Sequence, residues 1–179
     1  MLLLLIACVG VKDATPSDDT SSEVPVDCTT LTEPSALESG SYVVTIDSTV
    51  FNDCENQAGK GLHIHVGENQ LLEVEANGAC LTTHDSAGME MTGYEADGDF
   101  VLDGFLTLEI GTCTVGINAT MHGTMTGEGT FDYRMDATAD VYTEVVEGAC
   151  QYIIGETEQH TFPALPCSQA WEGQGTAQR

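Results

Sequence analysis

Two histidines two residues apart, His63 and His65, are the residues whose type and spacing most directly suggest chemistry. On a β-strand, side chains at i and i+2 share a face, so both imidazoles of Leu62-His63-Ile64-His65-Val66 project together. A second segment, Leu72-Glu73-Val74-Glu75-Ala76, follows after Gly-Glu-Asn-Gln with the same alternation. Paired as a hairpin with Val66 opposite Leu72, the two segments set His65 against Glu73 and His63 against Glu75, with the apolar residues together on the other face. A one-residue slip would oppose Ile64 and Glu73, which favours the first register. Two imidazoles and two carboxylates suit Zn²⁺ or another divalent cation. The bland alternative is a pair of exposed His/Glu contacts of little energetic weight. His122 would join them only if the sheet curled.

Other constellations point away from catalysis. Glu95, Asp97, Asp99 and Asp103 have the composition of a Ca²⁺ loop, but Phe100 stands where an EF-hand frame needs its central Gly. Asp97-Gly98 reads better as a two-residue hairpin turn, because both residues tolerate positive φ. No Gly-x-Ser-x-Gly elbow is present, and His84 and His160 have no identifiable Ser partner. No Gly-rich phosphate loop appears, and abundant carboxylates are not by themselves the paired geometry of a glycosidase. The expectation is a non-enzyme that needs no cofactor beyond a possible divalent cation. Asn118-Ala119-Thr120 matches a glycosylation sequon but falls on an expected strand and carries no argument.

The 29 acidic residues face only Lys12, Lys60, Arg134 and Arg179, a formal net charge of −25. Such a chain repels phosphate backbones, so nucleic acid is excluded as a partner, and so is a polybasic membrane contact. Near-absence of Lys suits a solvated surface in salty water, with a cationic partner as the alternative.

Six of the seven cysteines are Cys28, Cys54, Cys80, Cys113, Cys150 and Cys167, an even set without any Cys-x-x-Cys pair. That pattern argues against structural zinc or a thioredoxin-like dithiol and for three disulfides. Six cysteines allow 15 connectivities, so sequence leaves the pairing open, a sequential 28–54, 80–113, 150–167 arrangement being one guess. The seventh, Cys8, ends an apolar run too short to span a bilayer. Leu5-Ile6-Ala7-Cys8 resembles the lipobox of bacterial lipoproteins. The resemblance implies cleavage before Cys8, diacylglycerol on its sulfur and an acylated amino group. Several acyl chains anchor far better than one. Val9, in place of the Asp that retains some lipoproteins at the inner membrane, points to the outer membrane. No Lys or Arg precedes the Leu run, which points to a true start upstream of Met1.

The elements that must position these residues are strands. Residues 1–7 read as signal peptide and 8–27 as a lipidated Cys with a disordered acidic tether, too poor in large apolar groups to offset its ordering entropy. Residues 28–167 form one disulfide-bonded β-domain, and 168–179 read as a frayed tail. From Ser41 the pattern has period two, with Tyr42, Val44, Ile46 and Val50 on one face and Thr45, Asp47 and Thr49 on the other. Met89–Glu95 and Asp99–Ile110 flank the Asp97-Gly98 turn, with Gly104 and Gly111 as bends or bulges. The longest hairpin joins Thr114–Met125 to Phe131–Tyr142, with Met125 opposite Phe131, Met121 opposite Met135 and Ile117 opposite Ala139. Its outer face carries Thr120, His122, Thr124, Asp132, Arg134 and Asp136. Residues 145–155 supply another strand, and Phe162–Pro166 is too Pro-rich for a central one. The fold class is all-β, an antiparallel meander closing into a barrel or sandwich.

Along the inner face of the long hairpin the residues are small or flexible. Met121, Met125, Tyr133 and Met135, interspersed with Ala and Gly, are candidates to line a cavity for a small apolar ligand, as in a lipocalin- or avidin-like carrier. Against it, the lipocalin Gly-x-Trp signature is absent, the one tryptophan being Trp171, and ordinary close packing explains the same residues. The expected protein is thus an exported, membrane-anchored acidic lipoprotein of the bacterial outer membrane. Its β-domain serves a display, structural or interaction role. The alternatives are the apolar-ligand carrier and the His63/His65 metal module.

Overall fold

The computed structural model describes residues 27–54 except 32, 66–110 except 87, 113–141, 151–154, 158–161 and 166–178. The strands are β1 (Gly40–Asn52), β2 (Asn69–Asn77), β3 (Cys80–Asp85), β4 (Glu90–Ala96), β5 (Asp99–Ile110), β6 (Cys113–Gly127), β7 (Thr130–Val141), β8 (Gln151–Ile154), β9 (Glu158–Thr161) and β10 (Cys167–Ala177). Eight of them close an antiparallel barrel in the order β1-β10-β7-β6-β5-β4-β3-β2, and β8 and β9 form a separate two-stranded sheet. Closure removes the exposed sheet edges that an open meander would leave. Followed from strand to strand, the register that starts at Gly40 returns to β1 at Asn52, twelve residues further on. The strands are therefore strongly staggered, as an eight-stranded barrel requires if side chains are to fill it.

The long hairpin has the register its apolar alternation demands: Met125 faces Phe131, Gly123 faces Tyr133, Met121 faces Met135 and Ala119 faces Ala137. A slip by one residue would turn every one of these side chains to water. Between β4 and β5, Asp97 (φ 57°) and Gly98 (φ 88°) make the predicted turn. Gly104 is not a bulge: it pairs in unbroken register with Met91, whose side chain occupies the space a Cβ would need.

Three expectations are corrected. Residues 168–177 are not a frayed tail but, with Cys167, β10, the strand that closes the barrel between β1 and β7. Its alternation is hidden because Gly173 and Gly175 stand at inward positions and carry no apolar side chain. The expected partner of 72–76 is also corrected, residues 62–65 themselves lying outside the described residues. β2 pairs instead with β1, Tyr42 opposite Leu72 and Ser41 opposite Glu73, and its other edge with β3. Finally Val50, expected inside with Tyr42, Val44 and Ile46, is 44% exposed, because register shifts on either side of Ser48–Thr49 break the alternation.

Phe131 sits at the centre of the core, fully buried, with its ring 5.2 Å from Phe100, 5.7 Å from Tyr42 and 6.3 Å from Tyr133. At the end of the barrel where the tight turns gather, residues 35–38 are held across the opening. Ser35 N donates to Gly78 O, Leu37 is fully buried, and the Tyr42 hydroxyl donates to Glu38 O. Glu95 points inward here, only 5% exposed, and accepts from the backbone N–H of Ala36 and of Gly98. Buried backbone donors need such partners, so this carboxylate clasps the covering segment to the β4–β5 turn.

Two disulfides join distant parts of the chain. Cys28 bonds Cys80, fixing the covering segment to the start of β3, and Cys54 bonds Cys167, joining the end of β1 to the start of β10. Neither is a sequential pair, because the strands that neighbour in space are far apart in sequence. The side chains of Cys113 and Cys150 lie outside the described residues.

Candidate functional site

The sequence-predicted site residues separate into three groups. His63 and His65 lie outside the described residues, as do Cys8 and the tether. Their expected partners are committed elsewhere. Glu73 accepts a 2.8 Å hydrogen bond from Ser41 Oγ and faces His84, while Glu75 faces Thr82. The strand pairing that was to set them beside the histidines is occupied by β1. Among the described residues, one group of three His, Cys or carboxylate ligand atoms lies close enough to share an ion, Asp53, Cys54 and Cys167, and its two sulfurs are bonded to each other. The four candidate cavity residues are core: Met121 is 2% exposed, Tyr133 5% and Met135 7%, with Met125 part-buried. A void would expose the side chains lining it, yet Phe100, Phe131, Met91, Leu102 and Met121 are each at most 2% exposed.

What the structure adds is a groove of about 580 Å³ on the outer wall. It runs across the strands, over β5, β6, β7, β10 and β1. One side is the cross-strand row Asp99, Thr124, Asp132, Gln174; the other is Val101, His122, Arg134, Glu172. Between them the floor is the backbone of Phe100, Gly123, Tyr133 and Gly173, whose side chains, where they have any, point into the barrel. Two of these inward positions are glycine because the space beneath the floor is already filled. A Cβ on Gly123 would lie 2.0 Å from the Phe100 ring, and one on Gly173 would lie 1.9 Å from the Thr45 carbonyl oxygen. Aromatic rings settle over neighbouring glycines, so the inner layer is filled without side chains from β6 and β10 at these points. Asp47, beside the register shift of β1, ends the groove.

Charge in the groove is dominated by carboxylate. Arg134 holds Asp136 by two 2.8 Å hydrogen bonds, from Nε and Nη2, and its Nη1 lies 3.9 Å from Glu172. The hydrogen bonds from Arg134, then its charge and that of His122, hold the Asp136 carboxyl below the usual range against the opposing effect of burial. The same bonds raise the Arg134 guanidinium. On the opposite side, Thr124 Oγ1 donates to Asp99 at 2.7 Å. Beneath the floor, burial pushes the Tyr133 phenol up to about 12; the nearby Asp47 adds to this, while a hydrogen bond with Trp171 opposes it.

No family model, curated protein or solved structure matches the chain. The sequence already contained the groove's sides, since Thr120 to Asp136 were expected to face water. It gave no sign of β10, which supplies Glu172, Gly173 and Gln174, because that strand's inward positions are mostly small or polar.

Proposed function

We propose that the protein is an exported bacterial lipoprotein, acylated on Cys8, whose acidic barrel is a non-enzymatic recognition domain displayed at the outer membrane. The observation that carries this reading is the barrel's polarity. Aromatic and aliphatic side chains pack its interior, while its outer wall presents Asp99, Asp103, Asp132, Asp136 and Glu172. A barrel that spans a membrane has the reverse arrangement, apolar outside and polar within. This one is built to stand in water, with its wall as the contact surface. Cys28–Cys80 and Cys54–Cys167 support folding in an oxidising compartment. The chain enters the barrel at the tight-turn end, through Cys28, so a tether from Cys8 would leave the side walls and the opposite end free.

The test is the intact mass of protein extracted with detergent from the membranes of its own host. A mature chain beginning at Cys8 and carrying diacylglycerol plus an acyl group is expected, and Cys8→Ser should leave the protein unanchored. An unlipidated mature mass would sink the reading. The same native spectrum tests the carrier: an apolar ligand retained at one per chain would move the site from the wall to the interior.

A further inference from the structure

We infer that Cys28–Cys80 is a redox latch: a dithiol opens it while Cys54–Cys167 stays closed, and the chain between Cys28 and Ser35 is then released from the barrel. Exposure separates the two bonds. Cys54 and Cys167 are 0% and 3% exposed and sit in the core, whereas Cys28 and Cys80 are half-buried. Thiol–disulfide exchange requires an attacking thiolate to reach a sulfur, so access decides which bond reacts first, and the exposed one is the labile one. Cys54–Cys167 is reached only when the barrel itself opens.

What the latch holds follows from the bonds around it. Cys28–Thr30 form one 3₁₀ turn in which no residue is buried. Asp27 caps it: its carboxylate accepts from Thr29 N and Oγ1, and its carbonyl accepts from Thr30 N and Oγ1, while Leu31 N donates to Cys28 O. Each of these hydrogen bonds stays inside the turn. Glu33 and Pro34 are exposed. Among the described residues, the first hydrogen bond from this stretch to the barrel is Ser35 N to Gly78 O; beyond it Ala36 is held by Glu95 and Leu37 is fully buried. The disulfide is what ties residues 28–31 down, and residues 35–37 keep their seats without it. In the opening step the first thiolate of the dithiol bonds one cysteine sulfur and expels the other as thiolate. Its second thiolate then displaces the first cysteine, so both cysteines are reduced and the dithiol leaves as a disulfide. With the latch closed the chain leaves the barrel at Cys28, and with it open at Ser35. Residues 28–34 then add up to about 25 Å of reach. On the lipoprotein reading, on which this consequence rests, the latch sets how far the barrel stands from the membrane.

The test is timed reduction of the folded full chain carrying Cys8→Ser by dithiothreitol, with alkylation and peptide mapping at each time. Cys28 and Cys80 should be alkylated at least about ten times faster than Cys54 and Cys167, the factor that even a modest opening free energy imposes on a buried bond. Amide order parameters follow the release. Those of Thr29, Thr30 and Leu31 should fall from about 0.85 to below about 0.6 as the bond opens, with Leu37 and β7 unchanged. A chain carrying Cys28→Ser and Cys80→Ser should show the same low values before any reductant is added; if it fails to fold, the timed reduction decides alone. Equal rates at the two disulfides would overturn the inference. So would order retained at Thr29, Thr30 and Leu31 after cleavage, or order lost from β7 along with them, since the bond would then hold something other than this stretch. The mass measurement decides the lipoprotein reading separately: an unacylated chain keeps the latch and loses only its effect on distance from a membrane.

Discussion

Truncating Phe131 to Ala tests whether the barrel interior is solid. The side chain is fully buried and touches three other rings, at centroid distances of 5.2, 5.7 and 6.3 Å. It also lies over Gly175, where even a single Cβ would approach its Cζ to 2.0 Å. Removing a buried Phe from a packed site costs about 3–5 kcal/mol, with the aromatic contacts placing this one at the upper end. Collapse into the hole is restricted, because the glycine beneath the ring has no side chain to move in. A chain of this size changes its unfolding midpoint by about 2–4 °C per kcal/mol, so the midpoint should fall by roughly 10–20 °C. Urea unfolding followed by circular dichroism measures the cost directly, with the slope unchanged. The variant should also gain affinity for benzene, since a new apolar hole stays dry and takes such a guest. A cost below about 1.5 kcal/mol would refute the packing argument, because it is the result for a ring lining space that is already open. The carrier reading would then regain its footing.

Three further outcomes follow from the fold. Glu95→Ala leaves the N–H groups of Ala36 and Gly98 without their acceptor and should cost about 2–4 kcal/mol, with faster hydrogen exchange at those two amides; unchanged exchange would show that the carboxylate is not the clasp. The Tyr133 phenol is held at about 12, above its ordinary 10, so the fold favours the neutral form. Its contribution of about 2–3 kcal/mol is whole below pH 10 and lost as pH rises from 10 through 12, and urea midpoints of Tyr133→Phe should show a smaller alkaline loss than wild type. Replacing Cys54 and Cys167 by Ser opens a separation of 113 residues and should cost about 4–5 kcal/mol, slightly more than opening the 52-residue Cys28–Cys80 separation, as read from paired denaturation curves. With those four cysteines assigned, three disulfides require Cys113 to pair with Cys150, which non-reducing peptide mapping checks.

The parts of the fold that sequence made legible are those where chemistry and geometry repeat locally. In the long hairpin, apolar residues alternate without interruption from Val115 to Met125 and from Phe131 to Ala139 apart from Gly123, so one register satisfies nearly all of them. Asp97-Gly98 announces its own turn, since few residue pairs accept positive φ twice. Where the partner strand is distant, the logic fails. Leu72–Ala76 fits two antiparallel neighbours equally well by alternation, and sequence proximity chose residues 62–66. The barrel chose β1, because closing the sheet buries Tyr42 and Val44 with Leu72 and Val74 in one core. The cysteine pairing is illegible for the same reason, being a consequence of which strands become neighbours.

The groove was half legible, and the missing half explains what the glycines do. Outward residues of β5 to β7 read as a polar face, but a polar face alone is a convex wall with nothing to hold. Between its two polar rows runs a row of inward positions, where Gly123 and Gly173 admit the Phe100 ring and the Thr45 carbonyl at places other residues would fill with Cβ. The glycines therefore serve the packing of the core beneath the wall, which an alternation of apolar side chains does not announce. A Gly123→Ala change should force the Phe100 ring off its seat and lower stability by the amount typical of overpacking, about 1–3 kcal/mol, read from urea unfolding. An unchanged midpoint would show that the ring is not seated on this glycine.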